Sequence, residues 1–179
     1  MPEALVIVDY QNDFLPGGAL AVPEGDLIAD HLNELAQDPR FELVVATRDW
    51  HPPDHGSFAE NGGPWPVHCV QGTPGAELNS SLDRSKVDII VDAGQERDLE
   101  GYSGFEGTDL LKLLRERHID RVTVVGLATD YCVKHTALDA LRQGFEVQVD
   151  PEGIRGVEVE PGDSERALEE MRRAGAAIE

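Results

Sequence analysis

Short runs of β-branched, apolar residues recur along this chain and are separated by segments with helical periodicity. Each run is almost continuously apolar, which is typical of strands buried on both faces of a parallel sheet. The predicted strands are Ala4–Val8, Glu42–Ala46, Val87–Val91, Arg121–Val125 and Phe145–Val149, with a last edge strand at Ala176–Ile178. The predicted helices are Asp26–Leu35, Thr108–Arg117, a third that includes Ala137–Leu141, and a fourth from Pro161–Glu165 to Ala174. This order predicts an α/β fold, a three-layer sandwich with a central, mainly parallel sheet flanked by helices.

Length, charge and cysteine content narrow the function classes. The 179 residues, 40% of them apolar, predict one domain over residues 1–179. The net charge of −20 argues against nucleic acid or an anionic membrane as a partner. The two cysteines are too few for a disulfide framework, and we find neither a leader pattern nor an apolar run of about 18 residues. We therefore expect a cytoplasmic protein.

Two loops are unusually long for a compact α/β domain. Pro16–Pro23 and Trp50–Pro74 are rich in proline and glycine, and they follow the predicted first and second strands. Ligands of parallel α/β sheets bind at the carboxyl ends of the strands, so these loops are candidates for a functional role.

Cys132 and Asp9 are candidates for a nucleophile and its base. Cys132 follows a strand and a turn of small residues, in the expected first turn of a helix, where the helix dipole favours a thiolate. Asp9 ends the first strand, at the same sheet edge, and its carboxylate could accept the thiol proton. Alternatively, Cys132 is a small buried apolar residue and Asp9 caps a turn. The two residues together favour the catalytic interpretation.

A third cluster of polar residues follows the second strand. Asp49, His51 and His68 could form a ligand set of two histidines and one carboxylate, which suits a divalent transition metal such as Zn, Fe or Mn. The alternative is that they are polar residues that order the loop. His55 could be a further ligand or a partner of one of the ligands.

These residues lie in segments that resemble a known family. The chain is similar to the nicotinamidases of the isochorismatase-like cysteine hydrolase superfamily. The matching segments are Ile7–Phe14, Gly17–Leu20, Thr47–Pro52, Trp65–Val70, Tyr102–Phe105, Gly126–Val133 and Pro161–Ser164.

The resemblance implies a role for each matching residue. Cys132 would be the nucleophile, Asp9 the base, and Asp49, His51 and His68 the metal ligands. The implied substrate-binding residues are Phe14, Leu20, Trp65, Tyr102, Leu127, Ala128 and Tyr131. It also implies a cis peptide bond between Leu127 and Ala128, with the N–H groups of Ala128 and Cys132 directed at the oxyanion.

The sequence departs from the family at one catalytic position. Nicotinamidases have a lysine after the third strand that completes a catalytic triad, and Ala93 occupies that position here. None of Lys86, Lys112 and Lys134 lies at a place from which it could substitute. We therefore expect this chain to be inactive or severely impaired. Its origin is either an engineered Lys to Ala substitution, which the otherwise complete pocket favours, or natural loss.

The implied reaction is metal-dependent hydrolysis of nicotinamide to nicotinate and ammonia through a cysteine thioester. Two alternatives stay open: a natural homologue that binds such ligands without catalysis, and a relative that hydrolyses another amide or isochorismate. The sequence does not determine the oligomeric state, and a homo-oligomer is compatible with it.

Overall fold

The computed structural model describes residues 1–179 and contains one six-stranded sheet. The strands are β1 (Glu3–Val8), β2 (Phe41–Asp49), β3 (Ile89–Ala93), β4 (Arg121–Leu127), β5 (Glu146–Arg155) and β6 (Ala177–Ile178). They lie in the order β3-β2-β1-β4-β5-β6, and every neighbouring pair is parallel. The predicted α/β architecture is confirmed, with a sheet that is entirely parallel.

Four α-helices accompany the sheet. They are α1 (Ala29–Ala36), α2 (Leu110–Glu116), α3 (Lys134–Arg142) and α4 (Asp163–Ala174). The first half of the predicted first helix is instead a 3-10 turn over Gly25–Ile28, and a π-helical turn over Thr129–Val133 leads into α3. None of the helices has both the length and the apolar character needed to cross a bilayer.

The alternation of side chains along β1 explains why the core has two halves. Val6 and Val8 pack on one face of the sheet with Leu110 of α2 and Met171 of α4. Leu5 and Ile7 of the same strand pack on the other face with α1. A strand buried on both faces needs apolar residues at successive positions, which is why the strand sequences do not alternate.

Strands β2 to β5 all run past their predicted carboxyl ends; β2 ends at Asp49, β3 at Ala93 and β4 at Leu127. β3 begins two residues later than predicted, because Arg84–Lys86 forms a 3-10 turn that ends at Val87. β5 continues to Arg155 with a register shift opposite β4, whereas the predicted strand ended at Val149. As a result, Ala93 at the end of β3 and Val157 just after β5 both lie at the carboxyl edge of the sheet.

Candidate active site

The carboxyl ends of four neighbouring strands converge on one site. Asp9 follows β1, Asp49 ends β2, Ala93 ends β3, and Cys132 lies in the π-helical turn after β4. In an open parallel sheet, this edge is where ligands bind. The topology therefore brings together residues that are far apart in the sequence.

The candidate nucleophile and base are close together and buried. Cys132 Sγ and carboxylate oxygens of Asp9 and Asp49 all lie within 4.8 Å of one another. Asp9 adopts the left-handed backbone region with φ of 49°, and its Oδ1 accepts a hydrogen bond of 2.9 Å from the Thr47 hydroxyl. The structure thus places Cys132 and Asp9 as the catalytic interpretation requires.

No lysine or arginine forms an ion pair with the buried carboxylates at this edge. Burial, and then the charge of Asp49, raises the pKa of Asp9 well above its usual value. Burial, and then the charges of Asp9 and Asp49, raises the pKa of the Cys132 thiol as well. Two buried carboxylates beside a thiol disfavour a third negative charge, so the thiol is held in its protonated form.

Asp49 also faces the two candidate metal-binding histidines. Its Oδ2 lies 3.3 Å from Nε2 of His51 and 3.8 Å from Nε2 of His68. Burial alone would raise the pKa of Asp49, but hydrogen bonding to both histidines outweighs it and lowers the pKa to about 2. Ligands of one first-row ion, each about 2.0–2.1 Å from it, lie at separations of about this size.

The other ring nitrogens show which atoms are free to bind an ion. Nδ1 of His51 lies 2.8 Å from the Gly94 carbonyl, and Nδ1 of His68 lies 2.7 Å from the Pro66 carbonyl. A carbonyl only accepts, so each Nδ1 carries a proton. In the metal-free site Nε2 donates its own proton to Asp49, and an ion that displaces this proton would leave Nε2 a lone pair to bind with. Two lone pairs and a carboxylate oxygen then converge, and this donor set fits a divalent metal.

His55 is placed beside the donor set but not in it. Its ring stacks on His51 with centroids 3.8 Å apart. Its Nδ1 lies 2.6 Å from the Ser57 hydroxyl and its Nε2 lies 2.7 Å from the Leu99 carbonyl, so both nitrogens are engaged. In this arrangement His55 positions the His51 ring.

Gln11 holds the strand ends in place, a role that sequence reasoning missed. Its amide accepts from the Asp49 N–H at 2.9 Å and donates to the Asp49 and Ala76 carbonyls at 2.7 and 2.8 Å. The side chain is fully buried. A polar residue in a turn after a strand was the only signal, and such residues are common.

A mostly apolar pocket opens beside Cys132. Every implied substrate-binding residue lies in its wall: Phe14, Leu20, Trp65, Tyr102, Leu127, Ala128 and Tyr131. The Trp65 indole N–H donates to the Tyr102 hydroxyl at 2.8 Å, and burial is the main cause that raises the Tyr102 pKa to about 12. A flat aromatic ligand would therefore meet neutral, aromatic walls and reach Cys132 at one end.

Val157 completes this wall and was not predicted. Its position depends on Asp130, whose carboxylate accepts 2.9 Å hydrogen bonds from the N–H groups of Val157 and Glu158. Asp130 precedes Cys132 by two residues, so the turn that carries the thiol also holds the loop after β5. No pattern in the sequence pointed to Val157, because the predicted strand ended at Val149.

Ala93 stands on the face of the sheet that carries the site. It pairs directly with Asp49 in the β2–β3 register, and paired residues project to the same face. The side chain is buried and ends at its methyl group. A long side chain at this position would therefore project toward Asp49 and Cys132.

The turn before Cys132 has the backbone conformation that the resemblance implies. The peptide bond between Leu127 and Ala128 is cis. The Ala128 N–H donates to no backbone carbonyl of the chain. Its position in the pocket wall next to Cys132 leaves it available to a ligand.

The fold and site define a hydrolase of the parallel α/β class. The family profile described as "Isochorismatase domain" matches residues 3–179. The chain therefore belongs to the isochorismatase family.

Several relatives match over nearly the whole chain. The nicotinamidase of Escherichia coli is 44% identical over 99% of this chain and 94% of the relative. The pyrazinamidase of Pyrococcus horikoshii, solved in complex with zinc, is 52% identical with a TM-score of 0.92, over 100% of this chain and 99% of the relative. PnC1 of L. infantum, solved in complex with nicotinate, is 36% identical with a TM-score of 0.95, over 99% of this chain and 92% of the relative.

Proposed function

We propose that this chain is a nicotinamide amidohydrolase in which Cys132 attacks the carboxamide, and that Ala93 leaves its turnover severely impaired. The observation that carries the proposal is the meeting of a thiol, a carboxylate and an aromatic-walled pocket at the carboxyl edge of the sheet. Relatives named nicotinamidase or pyrazinamidase, which align over nearly the full length, supply the substrate class.

Cys132 and Asp9 carry the covalent chemistry. The Asp9 carboxylate accepts the thiol proton as Sγ forms a bond to the carboxamide carbon, and it returns that proton to the departing ammonia. The N–H groups of Ala128 and Cys132 stabilise the oxyanion. Water that transfers a proton to Asp9 then hydrolyses the thioester, which releases nicotinate and restores the thiol.

Asp49, His51 and His68 would hold a divalent transition metal. The zinc-bound pyrazinamidase relative and the converging lone pairs of the two histidines support this assignment. When bound, the ion would orient the substrate through its ring nitrogen, directly or through water. The apolar walls hold the ring in the plane that brings the carboxamide to Cys132.

Ala93 removes the cation that the proton transfer needs. Without a positive charge beside Asp9 and Cys132, both groups hold their protons, and a thiol is a far weaker nucleophile than a thiolate. An ammonium within a few ångströms would lower the pKa of each group, because it stabilises the charged form. Residues of a catalytic triad act as a unit, so the expected loss of turnover is about 10²-fold or more.

The test is ammonia release from nicotinamide by the metal-loaded chain and its Ala93→Lys variant. We expect Ala93→Lys to raise kcat/KM by about 10²-fold or more, because the ammonium projects onto the face that carries Cys132. Ala93→Met is the matched control, since it has a comparably long side chain without charge. No gain in the lysine variant, or an equal gain in the methionine variant, would contradict the proposal.

Ala93 also favours a second function, the binding of a nicotinamide-like ligand without turnover. The pocket wall is complete although the charge beside the thiol is missing. Calorimetric titration with nicotinate distinguishes the two functions. Binding by the native chain together with no ammonia release from Ala93→Lys would support the binding function.

A further inference from the structure

The Asp49 carboxylate faces two different clusters of ligand atoms. Its Oδ2 faces the imidazoles of His51 and His68, as described above. Its Oδ1 is buried and has no hydrogen-bond partner. A buried carboxylate oxygen without a donor is costly, and a bound ion is one of the partners that can satisfy it.

The second cluster consists of Asp9, Asp49 and Cys132. One ligand atom from each, with Cys132 contributing Sγ, lies within 4.8 Å of the others, and all three side chains are at least nine-tenths buried. Neither carboxylate forms an ion pair with a lysine or arginine, and Asp49 is paired only with histidines. The neighbouring Ala93 contributes no charge.

We propose that Asp9, Asp49 and Cys132 form a second divalent-metal site, in which Asp49 bridges two ions and the Cys132 sulfur is a ligand. Two carboxylates and a thiolate suit a borderline-soft ion such as Zn²⁺ or Co²⁺. Ligands about 2.0–2.3 Å from such an ion are about 3.3–3.5 Å apart in tetrahedral geometry, so binding would draw together ligand atoms that already lie within 4.8 Å of one another.

An ion in this second site changes what the thiol can do. Coordination displaces the thiol proton to the buffer and ties the sulfur electron pair to the metal. The sulfur is then not free to attack a carbonyl carbon. The second site would therefore make the availability of the Cys132 thiol depend on the concentration of divalent metal.

Cobalt binding tests the proposal without any substrate. Metal-free full-length chain is dialysed to equilibrium against Co²⁺, and the metal content is measured together with the absorption spectrum. We expect two ions per chain and the near-ultraviolet charge-transfer band of a sulfur-to-cobalt bond. One ion per chain without that band would overturn the proposal.

Four variants assign the band to its ligands. Cys132→Ser is expected to lose both the band and one ion, whereas Cys69→Ser, which removes the other buried thiol, is expected to keep both. Asp9→Asn is expected to weaken the second ion at least tenfold while the thiol remains. A band that persists in Cys132→Ser would place the sulfur ligand elsewhere and overturn the assignment. His51→Ala is expected to keep the band, and its loss there would show that the sulfur belongs to the first site.

Ala93→Lys tests the role of the uncompensated charge. An ammonium on the same face competes for the carboxylates, so we expect the affinity for the second ion to fall at least tenfold. Ala93→Met is expected to leave it unchanged. Equal affinities in the native chain and the lysine variant would contradict the charge argument. Since no substrate is used, two ions bound by the native chain together with no ammonia release from Ala93→Lys would contradict the proposed function and leave the second site standing.

Discussion

At the scale of single residues, the chemistry of the sheet edge depends on how many negative charges share it. Burial would raise the pKa of Asp49, but hydrogen bonds from two histidines outweigh burial, and the pKa falls to about 2. Burial and the charge of Asp49 raise the pKa of Asp9. Hydrogen bonds from Thr47 and Cys132 lower it by less, so the pKa lies above its usual value. Neighbouring carboxylates of the same sheet edge therefore have opposite shifts.

The raised pKa of Asp9 predicts that Asp9→Asn stabilises the metal-free chain at neutral pH. The ordinary pKa of this carboxyl is 3.8 and the folded value lies well above it, so between these values the folded state binds more protons than the unfolded state. The contribution of Asp9 to the free energy of unfolding is therefore fully present below about pH 4, and it is lost as the pH rises through the folded pKa. Asn has no such proton to lose. We therefore expect the free energy of unfolding of Asp9→Asn to exceed that of the native chain by about 1 kcal/mol or more at pH 7.

Urea unfolding in the presence of a chelator, at several pH values from 4 to 8, measures this effect. The difference between Asp9→Asn and the native chain is expected to grow with pH. Asp163→Asn is the control, because hydrogen bonds from Glu160 and Arg166 lower the pKa of Asp163 and give its effect the opposite sign. A difference that is independent of pH would contradict the argument.

At the scale of elements, the turn that carries Cys132 and the loop after β5 form one unit through Asp130. This tie fixes Val157 in the pocket wall. The shape of the pocket therefore depends on a residue that does not itself line the pocket.

Asp130→Asn is expected to loosen that unit. An amide can accept only one of the two hydrogen bonds with the same geometry, and losing a bond to a charged acceptor costs about 1.5–3 kcal/mol of unfolding free energy. We expect nicotinate affinity, measured by calorimetry, to fall about tenfold. Asp163→Asn is the control, since its carboxylate also accepts a backbone N–H but lines no part of the pocket. Equal affinities for the two variants would contradict the role of Asp130.

The elements also show what the sequence could and could not predict. Continuous apolar runs identify buried parallel strands, and parallel strands bring Asp9, Asp49 and Cys132 to one edge, so both fold and site core follow from local pattern. The buried amide of Gln11 and the continuation of β5 past Pro151 do not follow, because both depend on partners far away in the chain. Likewise, the start of α4 is capped by the Glu158 carboxylate, which precedes the helix by several residues.

At the scale of the whole molecule, 35 acidic residues face 15 basic ones, which gives the net charge of −20. Repulsion among these charges opposes the compact state. Salt screens it, with a Debye length of about 10 Å at 0.1 M and about 3 Å at 1 M.

We therefore expect the Tm of the chain to rise by several degrees between about 0.1 and 2 M KCl, because screening removes repulsion that is strongest in the folded state. Differential scanning calorimetry measures this shift. Sucrose at equal osmolality is the control for solute exclusion, which stabilises without screening charge. A Tm that is flat or falls with KCl would contradict the role of the surface charge.

The position of β1 between β2 and β4 has a consequence for biosynthesis. As the chain leaves the ribosome, its opening strand can pair on one side early, but its other neighbour is translated only at Arg121–Leu127. Until then the backbone N–H and C=O groups on one edge of β1 have no strand to pair with. Cys132, which Asp9 faces in the folded chain, has not yet been synthesised at that stage. The Cys132 thiol consequently meets the Asp9 carboxyl only after the whole segment between them has been synthesised, so a product truncated before Cys132 cannot carry the candidate site.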